Sequence, residues 1–440
     1  MVIELNAVTF QNRREERNVN AIDRSSPVSQ KKRVFATDFI FHNVGEGLFY
    51  TGQIDDFNFV YDCGAQPINR KHLNLAIGDY VRQELKAPRI DLLIISHLHD
   101  DHTYGLDALL HNVSVDTVIL PYLSPVERLA VALKKINLSS WFYDFLADPV
   151  AFLIERGINR VVLVGGREPY PPEPTFRNVE RFENAERKLD WSEMPEDEDL
   201  KREIIGMEQQ LQRFLNLGKL DVKSHRGHLK AKGVWSFRFF NCKVDDSKLN
   251  AFIKCVKPIV RNNRLVDVIK SKPWLKKLKK CYHLLSGDFN DTSLLVYHGL
   301  IPSNKSNRSL KTCILGYRII SVCSLHFVNR FLFRSNTDVG QLLTGDVNLN
   351  SKLAEIVKHY GPNLSNVGLA LVPHHGARKN WNGNILTKTS SRCLWVTSAG
   401  ISNKHHPSFD IIQDIINSGN VPLWSNELHK ISMRWFCNLG

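Results

Sequence analysis

The residues best suited to catalysis in this 440-residue sequence form one short segment, Ser-His-Leu-His-Asp-Asp-His, at residues 96–102. Alternate side chains of an extended chain point the same way, so His97 and His99 can bind one metal ion together. Asp101 and His102 follow at a turn and can bind a second ion close by. Imidazole combined with carboxylate suits zinc, manganese or iron better than calcium or magnesium. The segment therefore predicts a site for two divalent metal ions.

Two later segments can supply the remaining ligands. The apolar run Leu342-Leu343-Thr344 ends in Gly345-Asp346. A carboxylate there can give one oxygen to each ion and hold the two about 3.5–4 Å apart. A second apolar run, residues 369–372, ends in Pro373-His374-His375-Gly376. Paired histidines at a strand end, in a chain that also carries the first segment, favour metal ligation.

Short apolar runs position these groups. Residues 90–96, 117–120 and 160–164 have the pattern of buried strands, and a helical stretch at about 70–86 lies between strands. Strands that alternate with helices predict an α/β chain. Further along, residues 235–240 alternate as a half-exposed strand would, and residues 198–217 predict a helix.

These motifs resemble those of the metallo-β-lactamase-fold hydrolases, most closely the hydrolase domain of ComEC-type DNA-uptake (competence) proteins. The matching motifs follow the family's order across about residues 36–425: Asn43-Val44-Gly45-Glu46-Gly47, Tyr61-Asp62-Cys63-Gly64, His97–His102, Asn290–Leu294, Leu343–Asp346, Val372–Gly376, and Ser398-Ala399-Gly400 leading to Asn403 and His406-Pro407. The resemblance implies an αββα sandwich of two mixed β-sheets flanked by helices, with the metals at one edge.

The resemblance also implies roles for individual residues. The expected metal ligands are His97 and His99 for the first ion, Asp101 and His102 for the second, Asp346 between them, and His374 completing the second site with His375 beside it or on the substrate. The expected contacts with ligands or substrate are Asp62, Asn290, Ser293, Arg378 and Asn403. Catalysis is expected from Asp101, Asp346 and His406. The aspartates would take a water proton, and His406 would contact phosphate or protonate the leaving oxygen.

The chain departs from the family pattern in three ways. Members with two full sites carry another histidine before the Gly-Asp, where this chain offers Asn290 and Ser293, so the first of the two Zn²⁺ or Mn²⁺ sites is expected to be weak. His283 or His298 is a possible substitute. Ala377-Arg378 follows the paired histidines where the competence pattern has a serine. Finally, the multi-pass membrane channel of the uptake proteins is absent, so DNA uptake is not implied.

Length and composition set wider bounds. The chain allows one to three domains, and its 43% hydrophobic and 23% charged residues are typical of globular proteins. We expect a polar N-terminal arm at residues 1–35 and a hydrolase domain at 36–440. Helical insertions at about 178–235 and 299–336 are expected to shape the cleft and offer a surface for a protein partner.

Charge and cysteine usage indicate partners and compartment. Lys plus Arg is 58 against 45 Asp plus Glu, a net charge of +13, which favours nucleic acid or a nucleotide. Residues 254–280 hold ten Lys or Arg and one acid, Asp267. They are either a solvated helical face or a surface for phosphates. Eight scattered cysteines without a CxxC pair predict buried thiols in a reducing compartment. With no apolar signal segment, we expect a cytoplasmic protein without membrane contact.

Three functions remain open. The first is a phosphodiesterase or nuclease that cleaves DNA or RNA with a metal-activated water, as suits bacterial DNA processing or defence. The second is a hydrolase of a small molecule: a cyclic nucleotide, a thioester or a lactam. The third is a partner-dependent effector with weak activity. A basic groove continuous with residues 254–280 would favour the polymer, and a neutral or acidic cleft the small substrate.

Overall fold

The computed structural model describes residues 33–166, 188–242, 246–285, 293–301, 310–321, 328–334 and 339–439. Within these ranges the strands, numbered in chain order, are β1 (Arg33–Phe41), β2 (Gly47–Ile54), β3 (Phe57–Ala65), β4 (Arg89–Ile94), β5 (Ser114–Pro121), β6 (Arg160–Gly165), β7 (Leu189–Asp190), β8 (Leu220–Ser224), β9 (Leu229–Ala231), β10 (Trp235–Asn241), β11 (Leu294–Leu300), β12 (Leu310–Ser321), β13 (Val328–Arg334), β14 (Gly340–Leu343), β15 (Val367–Leu371), β16 (Leu394–Ser398), β17 (Val421–Ser425) and β18 (His429–Leu439).

The α-helices of the same ranges are α1 (Arg70–Asp79), α2 (Asp100–Thr103), α3 (Leu106–Asn112), α4 (Pro125–Lys134), α5 (Ser140–Ala147), α6 (Pro149–Glu155), α7 (Glu198–Met207), α8 (Gln212–Asn216), α9 (Asp246–Val260), α10 (Leu265–Lys270), α11 (Lys272–Tyr282), α12 (Leu349–Tyr360) and α13 (Phe409–Asn417). Helix α4 has a complete start signal: Ser124 and Glu127 exchange hydrogen bonds as a capping box, with Pro125 at the first position.

The strands form two mixed sheets. The first has ten strands in the order β13-β12-β18-β1-β2-β3-β4-β5-β6-β8, and the second has eight in the order β17-β16-β15-β14-β11-β10-β9-β7. Strands β3 to β6 and β8 run parallel, as do β14 to β17. The carboxyl ends of β4, β14 and β15 carry the metal-binding motifs.

Three apolar cores lie between four layers. Side chains such as Phe59 and Phe237 fill the space between the two sheets. Leu93 and Leu129 belong to a core between the first sheet and helices α1, α3 to α6 and α9 to α11. Trp395 belongs to a third core, between the second sheet and helices α12 and α13. The predicted αββα class is confirmed, since two mixed sheets face each other and carry helices on their outer sides.

Several expectations about elements were wrong. Strand β10 is buried along its whole length rather than half-exposed, because the core between the sheets covers one face and the outer core the other. Residues 188–235 are not simply helical, since β8 extends the first sheet and β7 and β9 extend the second. The predicted helix at 198–217 breaks after Met207 into α7 and α8. Strand β1 begins at Arg33, inside the expected arm, whereas residues 1–32 lie outside the described residues.

The cysteines also differ from expectation. Cys255 of α9 and Cys281 of α11 form a disulfide, with Cα atoms 5.6 Å apart. Cys63, Cys242 and Cys393 are buried thiols as predicted. The spacing of the cysteines along the chain does not indicate this disulfide, because the packing of α9 against α11 brings Cys255 and Cys281 together.

The insertion predicted at 299–336 begins inside β11 and includes β12 and β13, which lengthen one edge of the first sheet. Residues 302–309, 322–327 and 335–338 lie outside the described residues. No helix among the described residues has the length and apolar character needed to cross a membrane.

Candidate metal centre

The segment after β4 forms the floor of the site. His97 and His99 are in extended chain, and His99 is the residue before α2, whose first turn carries Asp101 and His102. All four side chains are buried, none exposed by more than 7%. A strand that ends in a helix start thus presents two histidines and then an aspartate and a histidine to one small volume, as the spacing predicts.

Asp62 reaches this segment because strand β3 contains a bulge. Phe49 pairs with Cys63 and Tyr50 pairs with Tyr61, so Asp62 is left unpaired between them. Its φ of +58° is a left-handed conformation that side chains other than glycine rarely adopt. Gly64, two residues on, has no side chain because a Cβ there would lie 2.4 Å from the backbone nitrogen of His102. The Tyr-Asp-Cys-Gly motif is thereby explained by backbone geometry.

The Asp62 carboxylate orients two histidines. It accepts hydrogen bonds from the Ser96 backbone and hydroxyl, both at 2.6 Å, and from His102 Nδ1 at 2.7 Å. The Ser96 hydroxyl has only one proton, which it gives to Asp62, so at 2.9 Å it must accept from Nδ1 of His97. Nδ1 of both histidines is therefore protonated, so Nε2 is the nitrogen that each presents to a metal ion.

His375, which lies on a different element, is also held through Nδ1 so that Nε2 faces the site. Its Nδ1 donates to the backbone carbonyl of Ser398 at 2.8 Å. Its Nε2 lies 3.8 Å from Asp346 Oδ1 and 3.9 Å from Asp101 Oδ2. The lone pair of Nε2 consequently faces both carboxylates across a gap wide enough for a cation.

Three groups of possible ligands share members. They are His97 with His99 and Asp101; His97 with His102 and Asp346; and Asp101 with Asp346 and His375, and in each group the ligand atoms lie within 4.8 Å of one another. Asp346 reaches both sides, since Oδ1 lies 3.1 Å from His102 Nε2 and Oδ2 lies 3.7 Å from His97 Nε2. The geometry matches a bridging carboxylate.

A second observation indicates that these ligand atoms suit divalent cations. Among the described residues, the following buried atoms have no hydrogen-bond partner: His97 Nε2, both ring nitrogens of His99, Asp101 Oδ1 and His375 Nε2. Buried polar atoms are nearly always satisfied, and leaving one unsatisfied costs about 1–3 kcal/mol. Several such atoms within the three ligand groups are explained by metal ions that they would ligate.

The protonation of the site also suits cation binding. Burial lowers the pKa of His97 and His99 well below the ordinary histidine value, and the charge of Lys134 adds to this effect. Burial acts to raise the pKa of Asp101, but the charges of His102 and Lys134 more than compensate, so its pKa is lowered. His97 and His99 are therefore neutral beside an ionised Asp101, and these are the forms that bind metals. Burial acts to lower the pKa of His102, but the charges of Asp346 and Asp62 raise it well above the ordinary value, so His102 would release its Nε2 proton on binding an ion.

The paired histidines adopt strained conformations and divide their roles. His374 and His375 both have positive φ, +48° and +53°. His374 lies 3.8 Å from Asp346 Oδ2 and is outside the three ligand groups, whereas His375 belongs to one of them. The geometry therefore favours His375 as the ligand that completes the second site, instead of the expected His374.

One comparison with known proteins covers part of this centre. Residues 50–128 match the family model of the metallo-beta-lactamase superfamily. The matched stretch contains Asp62 and the whole segment His97–His102. Among solved structures, the metallo-beta-lactamase fold protein YhfI from Bacillus subtilis is similar, at 9% identity and a TM-score of 0.34, covering 90% of this chain and 98% of that one. A search of curated protein sequences finds no match.

His406 lies at the mouth of the site, with its ring centroid 6.2 Å from that of His374 and 6.5 Å from that of His375. Its Nδ1 donates to Glu46 Oε1 at 2.6 Å, and Asn403 Nδ2 donates to the same oxygen at 2.8 Å. Burial acts to raise the pKa of Glu46, but the hydrogen bonds from His406 and from the Gly400 backbone help to lower it overall. Glu46 is therefore an ionised residue of the site that sequence reasoning missed, although it stands inside a quoted motif.

The structure brings some of the other predicted residues to the centre and places others away from it. Ser293 is brought to the centre, because its hydroxyl accepts from the Asp346 backbone at 3.0 Å. Arg378 is not, because its guanidinium pairs with Asp410 and Asp414 of α13. Asn290 lies outside the described residues.

Neither proposed substitute for the missing histidine joins the ligand groups. His298 is enclosed in the core between the sheets, where Trp235 Nε1 donates to it at 3.1 Å. His283 is exposed just after α11. Neither residue therefore replaces the missing histidine among the described ligand groups.

Proposed function

We propose that the protein is a metal-dependent phosphodiesterase that cleaves nucleic acid, DNA or RNA, at a centre of two divalent ions, Zn²⁺ or Mn²⁺. The observation that carries the proposal is the set of unpartnered donors on both sides of Asp346. When bound, two such ions would lower the pKa of a water molecule toward neutrality and neutralise charge on a phosphate. Six residues would hold them: His97, His99, Asp101, His102, Asp346 and His375.

The reaction would also be assisted by Asp101, Lys134 and His406. Asp101 Oδ1 has no hydrogen-bond partner among the described residues and is suited to accept the proton of the attacking water. Lys134, whose charge acts on Asp101 and on the first two histidines, adds a positive potential for an anionic substrate. Glu46 fixes His406 at the mouth, where the ring can donate to an oxygen of the phosphate or leaving group.

The test is metal content together with hydrolysis. We expect the purified wild type to bind divalent metal and to cleave single- or double-stranded DNA, RNA and bis-p-nitrophenyl phosphate. The double variant His99→Ala/Asp101→Ala should lose both metal and activity. A control variant, Asp410→Asn, removes an exposed carboxylate that pairs with Arg378 and should retain both.

The outcomes separate the alternatives. Cleavage of the small diester without cleavage of any polymer would assign the site to a small phosphodiester. Metal binding without turnover on any of these substrates would favour a partner-dependent effector. A wild type that binds no metal would contradict the proposal.

A further inference from the structure

Helices α9 and α11, with the turn that follows α9, carry a concentration of exposed positive charge. Seven exposed cations have no ion-pair partner among the described residues: Lys254, Lys257, Arg261, Lys272, Lys276, Lys277 and Lys280. We call these seven side chains the basic face. The neighbouring Arg264 and Lys270 do pair, with Asp267 and Asp144. Within the described ranges, the basic face is thus uncompensated charge rather than a network of surface ion pairs.

The basic face is held rigidly on the first sheet. Phe252, Val268, Leu275 and Leu278 of these helices belong to the same core as α4 and α5. The disulfide between Cys255 and Cys281 ties α9 to α11. Within α11, Lys272, Lys276 and Lys280 repeat every four residues, so they form a stripe on one side of the helix about 12 Å long.

The helix that carries this stripe contacts α4, whose last residue is Lys134. Lys279 of α11 donates to the backbone carbonyl of Lys134 at 3.1 Å and also to that of Leu133, at the carboxyl end of α4. The Lys134 side chain in turn acts electrostatically on His97, His99 and Asp101. Helix α11 is therefore joined to the helix end whose lysine charge acts on the ligands.

We propose that the basic face binds the sugar-phosphate backbone of a nucleic-acid strand and guides it past Lys134 into the metal centre. A row of cations without counter-charges attracts phosphates and releases their counterions on binding. A small substrate would not need the basic face, because this face extends well beyond the residues of the ligand groups. The inference rests on the proposed function and names its substrate as a polymer.

The test uses the full chain in EDTA, so that binding is measured without cleavage. The triple variant Lys276→Gln/Lys277→Gln/Lys280→Gln removes three cations of the basic face and leaves Lys279 intact. The matched control, Lys86→Gln/Lys219→Gln/Lys388→Gln, removes the same charge from exposed positions on other elements. The probe is a fluorescent single-stranded oligonucleotide, followed by anisotropy over a range of salt concentrations.

We expect the basic-face variant to bind the oligonucleotide about tenfold or more weakly, with a salt slope shallower by about 2, since each lost contact accounts for about 0.7. Its turnover of bis-p-nitrophenyl phosphate in metal should equal that of the wild type. Equal loss in the control variant, or no loss in either, would overturn the inference. A wild type that binds the strand through this face but cleaves no diester would instead contradict only the proposed function.

Discussion

Glu46 and His406, 360 positions apart in the chain, are joined by a 2.6 Å hydrogen bond at the mouth of the metal centre. The remaining Glu46 oxygen accepts from the Gly400 backbone at 3.0 Å, so the carboxylate is fixed at both ends. Because a carboxylate can only accept, the His406 proton is held on Nδ1, and Nε2 is the nitrogen left for the substrate.

Replacing Glu46 with Gln should slow substrates according to their leaving group. The variant loses the carboxylate that supports a protonated His406, so cleavage of a dinucleotide, with a poor alkoxide leaving group, should fall about 100-fold. Bis-p-nitrophenyl phosphate has a good leaving group and should be affected much less. Initial rates on the two substrates measure the difference.

The control for this prediction is Glu427→Gln. Glu427 is a carboxylate of the same neighbourhood that accepts from Asn69 Nδ2 at 2.6 Å and from the Ile401 backbone at 2.8 Å. It supports the loop without bonding to His406. If both variants slow both substrates equally, Glu46 has only a structural role.

Replacing Asp346 with Asn should remove metal. Asp346 belongs to two of the three ligand groups, so we expect the metal content per chain, measured by mass spectrometry after dialysis, to fall by at least half. Activity should fall with it. Retention of full metal content in a folded Asp346→Asn protein would exclude the bridging role.

Replacing Asp62 with Asn should weaken metal binding without removing a ligand. The amide cannot accept all three hydrogen bonds from Ser96 and His102, so the orientation of the histidines is lost. Loss of such supporting contacts typically weakens metal affinity 10–100-fold. Competition with a chromophoric chelator measures the affinity. Asp91→Asn, which alters another buried aspartate of the first sheet, should leave it unchanged.

His298 should make the fold sensitive to acid. Burial lowers its pKa to about 3, against about 6.5 in the unfolded chain. Between these values the unfolded state takes up a proton that the folded state does not. The stabilising contribution of neutral His298 is therefore complete above about pH 6.5 and is lost as the pH falls toward 3, at up to about 1.4 kcal/mol per pH unit.

Urea unfolding at several pH values between about 7 and 4 tests this effect. The variant His298→Gln should show a pH dependence shallower by about one proton than the wild type. His283→Gln, which changes an exposed histidine, should keep the wild-type slope. Identical slopes in all three proteins would contradict the assignment.

The local chemistry of the site can be predicted from the sequence alone. Ligand types and the spacing from His97 to His102 depend only on the geometry of a strand followed by a helix, which a short segment specifies. The apolar runs before Asp346 and His374 likewise predicted strands ending in ligands. The alternation of strands and helices indicated the α/β class, because each element buries its own apolar residues in a regular pattern.

Other features of the protein depend on contacts between segments that are distant in the sequence. Folding brings these segments together, so the features are visible only in the three-dimensional structure. The choice of His375 over His374 follows from backbone conformation and from the carbonyl of Ser398. The burial of β10 follows from cores on both faces, and the Cys255–Cys281 disulfide from helix packing. Glu46 becomes part of the site only because the loop after β16 returns to it, a proximity that no local pattern in the chain encodes.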